Sequence, residues 1–214
     1  IRWGLTGTPI QNSKRDIKTI FEFIGATTGK LKTLIRFHLL RRTKEQMAKM
    51  DDTLKLPPLT ITDKKIPLTP LEIKTHKVVG DNSQYPIERI IRQTQTEIHP
   101  QITLASDSWV SKFRNRIKFK PTTSSKITTL IQDIKKYPTD QSLVFCQFVK
   151  EIKIVQDALY SAGVSNAAIS GHTSQNNRRA IIEQAKNGII NTLVIQINAA
   201  SVGLNLQFAN RVFI

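Results

Sequence analysis

"SLVFCQFVKEIKIVQDALYSAGVSNAAISGHTSQNNRRAIIEQAKNGIINTLVIQI", residues 142–197, alternates short apolar runs with longer stretches whose apolar positions recur at helical spacing. Strands are expected in "SLVFCQF", "NAAIS" and "NTLVIQI". Helices are expected between them, one through Ile152 and Leu159, the other through Ile181 and Ile182 and ending at Gly188. Strands this short and this apolar, each followed by an amphipathic helix, suit a parallel sheet buried on both faces, because a helical crossover must return the chain before the next strand pairs in the same direction. The expected class is α/β: a parallel sheet with helices on both faces, joined by right-handed crossovers. Outward from this block, "RVFI" (211–214) supplies a further strand, and Ile127, Leu130, Ile131 and Ile134 mark a helix before the first one.

Toward the N-terminus the pattern changes. "TPLE" (69–72) combines Thr69 as N-cap, Pro70 at the first helical position and Glu72 at the third, the parts of a capping box. Between Gly80 and Pro121 the periodicity weakens, Pro86, Pro100 and Pro121 interrupt it, and "KFRNRIKFK" (112–120) is basic; an inserted helical region with a basic linker is expected there. "KLPPL" leads into "TITDKKIPLT" (60–69), whose prolines and β-branched residues predict a crossing strand and a boundary near residues 55–60. Residues 31–50 are basic and helix-prone. In "NSKRDIKTIFEFIG" Ile17, Ile20, Phe21 and Ile24 define an amphipathic helix with Asn12 or Ser13 as its cap and Gly25 as its stop. Ahead of it, Trp3 and Leu5 run into "TGTP", which reads as a buried strand ending in a turn rich in hydroxyls. Strand ends of this kind often host ligands.

The chain has 214 residues, with 32 Lys and Arg against 16 Asp and Glu, a formal charge of +16 that calls for a polyanionic partner. Cys146 is its one cysteine, which excludes an internal disulfide framework and a cysteine-built zinc site; His38, His76, His99 and His172 have no metal-ligand spacing. Apolar stretches are too short to span a bilayer. A soluble protein of a reducing compartment, nuclear or cytoplasmic, is expected. The chain opens on Ile1 and closes on an apolar run, so both ends look cut, and its richness in Ile and Lys hints at an AT-rich genome such as a viral one.

Several blocks resemble, in order and approximate spacing, the Swi/Snf-related ATPases of helicase superfamily two. "WGLTGTPIQN" is similar to that family's motif III at the end of a first RecA-like lobe. "LLRRTKEQ" with "LPP" and "LTPLE" resembles the link into the second lobe, and "SSK" with "LVFCQF" resembles motif IV. "SGHTSQNNR" is similar to the stretch after it, and "INAASVGLNLQFANRVFI" resembles motif V. The resemblance implies four regions: 1–25, the end of a first RecA-like lobe; 26–59, a linking helical segment; 60–121, the start of the second lobe with a helical insertion and basic linker; and 122–214, most of that lobe. It also implies a protein that couples ATP hydrolysis to movement on duplex DNA, with ATP and Mg2+ as cofactors and with a nucleosome or another DNA-bound protein as a target. The family's Gly-Lys-Thr loop, its acidic metal pair and its arginine motif VI have no counterpart in these residues, so the 214-residue piece is expected to be inactive alone. Departures stand at Ser170, where Asp is frequent, at Ala200 and Ser201 in place of Gly-Gly, at His76 for an aromatic, and at Ala185 for a Phe. A non-catalytic, basic nucleic-acid-binding module of the same fold is the alternative.

The resemblance assigns inter-lobe coupling to Thr6, Gly7, Thr8, Arg41, Arg42, Gln196, Ser201, Gly203 and Asn205. It assigns contact with the DNA backbone to Gln147, Gly171, His172, Thr173 and Arg178. The residue types suit these tasks. Hydroxyls both donate and accept in a rearranging network, guanidinium makes bidentate contacts, glycine lets a loop approach a phosphate, and helix N-termini after parallel strands offer N–H groups to anions. Cys146 reads as a small buried residue.

Overall fold

Ser13 and Asp16 start the first helix, α1 (Lys14–Ile24), by a reciprocal capping box. The Asp16 carboxylate accepts the N–H groups of Asn12, Ser13 and Gln11, which hold its carboxyl below the usual range. Gly25 ends the helix in the left-handed region at φ 84°, where a Cβ would be strained. Ile17 and Phe21 pack with Leu34 of α2 (Leu31–His38), joined by Ile24, Leu31 and Ile35. The helix-prone stretch 31–50 is broken at residues 39–43, because the Thr43 hydroxyl takes the N–H of Gln46 and starts a separate helix, α3 (Lys44–Met50). The computed structural model describes residues 1–54, 57–104, 124–199 and 204–214, and the chain divides into two units, Ile1–Asp63 and Lys64–Ile214.

Two expected strands are absent. Trp3 and Leu5 are exposed in irregular backbone, and so are Leu59 and Ile61 within the stretch leading to "KKIPLT". An extended run becomes a strand only where another edge takes up its N–H and C=O groups. All strands among the described residues belong to one sheet, and neither run pairs with it.

That sheet is in the second unit. Strands β1 (Ser142–Cys146), β2 (Asn166–Ile169), β3 (Thr192–Gln196) and β4 (Arg211–Phe213) are all parallel, in the order β2-β3-β1-β4. Leu143 stands opposite Leu193 and Val212, and Val144 opposite Val194 and Phe213. Alternate residues therefore serve opposite faces. Val144, Cys146 and Val194 pack with Ile127 and Ile134 of α7 (Ser125–Lys135) and with Ile152, Val155 and Leu159 of α8 (Val149–Ser161). Leu143, Leu193, Ile195 and Ile169 pack with Ile181 and Ile182 of α9 (Gln175–Lys186) and with Leu206 and Phe208. The crossover through α8 moves two places along the sheet on one face, and the crossover through α9 moves back one place on the other. Reversing both direction and face keeps the same hand. The strand expected in "SLVFCQF" stops at Cys146 because Glu151 takes the N–H groups of Gln147 and Phe148, which makes them the cap of α8.

Before the sheet, α4 (Pro70–Asp81) and α5 (Pro86–Ile98) form an antiparallel hairpin followed by α6 (Pro100–Leu104). Thr69 and Glu72 make the expected capping box. His76 Nε2 meets Glu97 Oε1 at 3.0 Å, and a Cβ at Gly80 would collide with the Gln93 amide, so the glycine permits the close approach of the two helices. The inner side of the hairpin mixes apolar and polar groups: beside Val79 and Ile102, the side chains of Thr75, Thr96, His99 and Thr103 are buried. The three hydroxyls donate to the carbonyls of Leu71, Gln93 and Arg92 respectively, and His99 Nδ1 accepts the N–H of Gln101. Burial holds the His99 imidazole below its ordinary pKa, against an opposing pull from Glu72.

Glu72 joins this hairpin to the sheet. Besides Thr69 N–H and hydroxyl, it accepts the N–H of Ser125 at 2.8 Å and the Ser125 hydroxyl at 2.6 Å, so one carboxylate caps both α4 and α7. Burial by itself raises the Glu72 pKa. The hydrogen bonds from Ser125 and Thr69 outweigh it and leave the carboxyl below its usual range. Lys64 adds a second tie, with its ammonium 2.9 and 2.8 Å from the two oxygens of Asp133 on α7. Because the folded pKa of Glu72 is lowered, its ionised form stabilises the fold above the carboxylate range, and this contribution is lost as pH falls through the folded pKa. Glu72→Gln is expected to lower stability by about 1–3 kcal/mol near neutral pH. Urea denaturation of both proteins across the acid range should show the gap closing as Glu72 protonates.

Candidate functional site

The carboxyl ends of β2 and β3 bring together residues that the sequence assigned to two different tasks. β2 ends at Ile169, and the chain turns through Ser170, Gly171, His172 and Thr173 before Ser174 caps α9 by accepting the N–H of Asn177. Inside the turn, Ser170 N–H donates to Thr173 Oγ1 at 2.9 Å, Thr173 N–H donates to the Ser170 carbonyl, and His172 N–H donates to Ser170 Oγ. Ser170, in the position where the family resemblance leads one to expect Asp, thus bonds within its own turn. The N–H of Gly171 is taken by Gln196 Oε1 at 3.0 Å, from the last residue of β3. Gln196, read as a coupling residue, and Gly171, read as a DNA contact, are direct partners.

Arg178 completes the junction. Half-buried one turn into α9, it donates through Nε to the Thr173 carbonyl at 3.0 Å, through Nη2 to Ser170 O at 2.9 Å and through Nη1 to Ala199 O at 3.1 Å. Ala199 lies in the short 3-10 turn Ile197–Ala199 that follows β3. Three carbonyls from two loops converge on one guanidinium, a task for a planar five-donor fork that a lysine ammonium would do poorly. The sequence reading gave Arg178 a phosphate to hold. In the structure its partners are carbonyls of the protein's own backbone, with His172 exposed at the rim. Ser170 and Ala199 were missed because both act here through carbonyl oxygens, which every residue has. Beside this junction Ala168, Ser170, Thr173, Asn177, Ile181 and Gln184 line an open cavity of about 460 Å³.

Gln147 is exposed at the end of β1, and its N–H is already bound to Glu151 at 2.9 Å. The N-terminus of α8 is therefore satisfied by an internal carboxylate. Burial raises the Glu151 pKa, partly offset by the N–H groups of Phe148 and Gln147. Beneath it Cys146 is fully buried, and desolvation, followed by the neighbouring Glu151 charge, pushes its thiol pKa far up, as expected of a packing residue. Asn205 is exposed and accepts the N–H of Gln207. Ser201 and Gly203 lie outside the described residues, as do Ala200 and the basic stretch 112–120.

In the first unit Thr6, Gly7 and Thr8 form an exposed turn in which Thr8 N–H donates to Thr6 Oγ1 at 3.1 Å. Open space surrounds the position of a Cβ on Gly7. Arg41 and Arg42 are exposed in the break between α2 and α3, where Arg42 Nη1 reaches the Met50 sulfur at 3.4 Å. Among the described residues no group of three His, Cys, Asp or Glu side chains is placed to hold a metal ion, and no helix is long and apolar enough to cross a membrane.

Comparison with known proteins gives this geometry a lineage. Residues 125–214 match the helicase conserved C-terminal domain. An uncharacterized ATP-dependent helicase of Mycoplasma pneumoniae is 27% identical over 96% of this chain and 22% of its own length. The DNA repair protein rad8 of Schizosaccharomyces pombe is 32% identical over 48% of this chain and 9% of its own. The chain thus spans less than a quarter of the length of these two relatives. Among solved structures, the SWI2/SNF2 ATPase core of Sulfolobus solfataricus in complex with dsDNA matches 85% of this chain and 39% of its own, with a TM-score of 0.59 at 23% identity. That likeness is one of fold, and it includes the parallel sheet with helices on both faces. With the order of the motifs, the match of residues 125–214 to the helicase conserved C-terminal domain and these relatives together, the chain is similar to the Swi/Snf-related ATPases of helicase superfamily two.

Proposed function

We propose that this chain is part of an ATP-dependent motor that translocates on duplex DNA: residues 1–25 end its first RecA-like lobe, 26–59 link the lobes, and 60–121 and 122–214 build the second. The observation that carries this reading is the junction of Arg178 and Gln196, which ties the loop after β2 to the turn after β3. In such a motor a displacement of the turn after β3 would be passed to the loop presenting His172 and Thr173, and so to a phosphate backbone lying on it. The names of the relatives and the charge of +16 support the same reading. Contacts of this type position the protein on DNA without reading sequence. Arg178 acts in it as a positioning residue. Thr6, Gly7, Thr8, Arg41 and Arg42 are proposed to face the opposing lobe, together with Ser201, Gly203 and Asn205. ATP with Mg2+ supplies the phosphoryl transfer.

Three measurements test this. The 214-residue chain, freed of contaminating ATPases, is expected to hydrolyse no ATP above a protein-free blank, with or without duplex DNA. Turnover would show that these residues hold the triphosphate after all. Fluorescence anisotropy with a labelled duplex should give weak binding with little sequence preference. The slope of log affinity against log salt should be steeper than about −3, roughly −0.9 for each neutralised phosphate; a flat titration would remove DNA from the reading. Finally, Arg178→Ala should destabilise the second unit by about 1–3 kcal/mol, since carbonyls in a half-buried junction lose a charged donor. Arg178→Lys should restore little of it, because one ammonium cannot span three carbonyls. Unfolding that is unchanged in both variants would leave the junction without mechanical significance.

A further inference from the structure

From Phe23 to Lys44 the chain has no Asp or Glu. Within that span Lys30, Lys32, Arg36, Arg41, Arg42 and Lys44 are all exposed. In the second unit several cations meet an acid: Lys64 and Lys136 pair with Asp133, Lys153 with Asp157 and Arg211 with Asp140. Helix α2 lies inside the acid-free span. Its Leu31, Leu34 and Ile35 pack with Ile17, Phe21 and Ile24 of α1, so its opposite side consists of Lys32, Thr33, Arg36 and Phe37, every one exposed.

Lys32 and Arg36 stand one turn apart, with about 5–6 Å between their Cβ atoms. Like charges at that spacing disfavour a helix slightly, and a bound polyanion would relieve them. Among the described residues neither side chain is in an ion pair; the guanidinium carbon of Arg36 lies 5.8 Å from the centroid of the Phe37 ring. That ring is 71% exposed. The acids flanking the span are engaged or turned away. Asp16 is occupied by the cap of α1, Glu45 is held by Thr43 at the start of α3, and Glu22 stands by helical spacing on the side of α1 away from its packing row.

We propose that the outer face of α2 binds single-stranded nucleic acid, with Lys32 and Arg36 on neighbouring phosphates and an unpaired base stacked on Phe37. Charge selects the class of partner. Cations without acids on one side of a helix fit a polyanion, whereas a second copy of the chain would bring another +16. The ring selects the strandedness: in a duplex each base face is covered by its neighbour, and only an unpaired base offers a face to an exposed phenylalanine. Anionic lipid would also attract the cations, but a helix lying on a membrane needs an apolar side free to enter it, and the apolar side of this eight-residue helix is turned to α1. The face belongs to the first unit, uses none of the residues of the Arg178 junction and does not depend on the motor reading.

The test uses the 214-residue chain and four labelled ligands: oligothymidylate, oligouridylate, a strand of equal length made of abasic sites, and a duplex. Fluorescence anisotropy should show Phe37→Ala weakening the oligothymidylate or oligouridylate complex at least fivefold, while the abasic and duplex complexes change less than twofold. Loss on either strand supports the proposal, and the larger loss tells DNA from RNA as the source. Lys32→Gln with Arg36→Gln should make the salt dependence of single-strand binding shallower by about 1.4 in the slope of log affinity against log salt, roughly 0.7 for each phosphate released. Because all three side chains are exposed, far-UV spectra and melting temperatures should stay as in the parent chain. Three results would overturn the proposal: single-strand affinity unmoved by Phe37→Ala, an equal loss on the abasic strand, or Phe37-sensitive binding to phosphatidylserine vesicles with none to the oligonucleotides.

Discussion

One carboxylate sets the layout of the second unit. Glu72 accepts bonds at the N-terminus of α4 and at the N-terminus of α7, two helices separated by more than forty residues of sequence. A helix start leaves several N–H groups without partners, and burying two such starts side by side would be unfavourable without a shared acceptor. With it, the hairpin is pinned beside the sheet, and α7 is aligned so that Ile127 and Ile134 reach Val144 and Val194. The fit of the hairpin on the sheet thus follows from a residue that local sequence explains only as half of a capping box.

The parts of the fold legible in sequence were those with local causes. Strand and helix alternation from Ser142 onward, the caps at Ser13 and Thr69, and the stop at Gly25 each follow from a few neighbouring residues. The expected strands around Leu5 and Ile61 had the right composition and no edge to pair with, and pairing is a property of the whole chain. Residues 86–98, read as part of an inserted helical region, are helical, but the side they turn inward was not legible. Their apolar spacing is strongly amphipathic, yet the side that faces inward is the polar one, held by a hydrogen bond from Thr103 of α6 and by the pairing of Glu97 and Gln93 with His76 and Gly80 of α4, which no periodicity reveals.

The candidate site was legible as a neighbourhood and only partly as chemistry. Motif resemblance placed Gly171, Thr173, Arg178 and Gln196 near the ends of parallel strands, and they do meet there. Their mutual bonding could not be read, because the acceptors at Ser170, Thr173 and Ala199 are main-chain oxygens. An arginine within a basic chain reads as a hand held out to phosphate. Here three of its N–H groups face inward, and the outward surface is left to His172 and its neighbours.

The buried thiol beneath Glu151 has a practical corollary. Cys146 is the chain's only cysteine, and its solvent-shielded sulfur resists the thiolate formation on which alkylation depends. The protein is therefore a ready background for site-directed spin or dye labels. A single surface cysteine placed on the loop after β2, and another on α5, would report distances within the second unit without first removing the native residue.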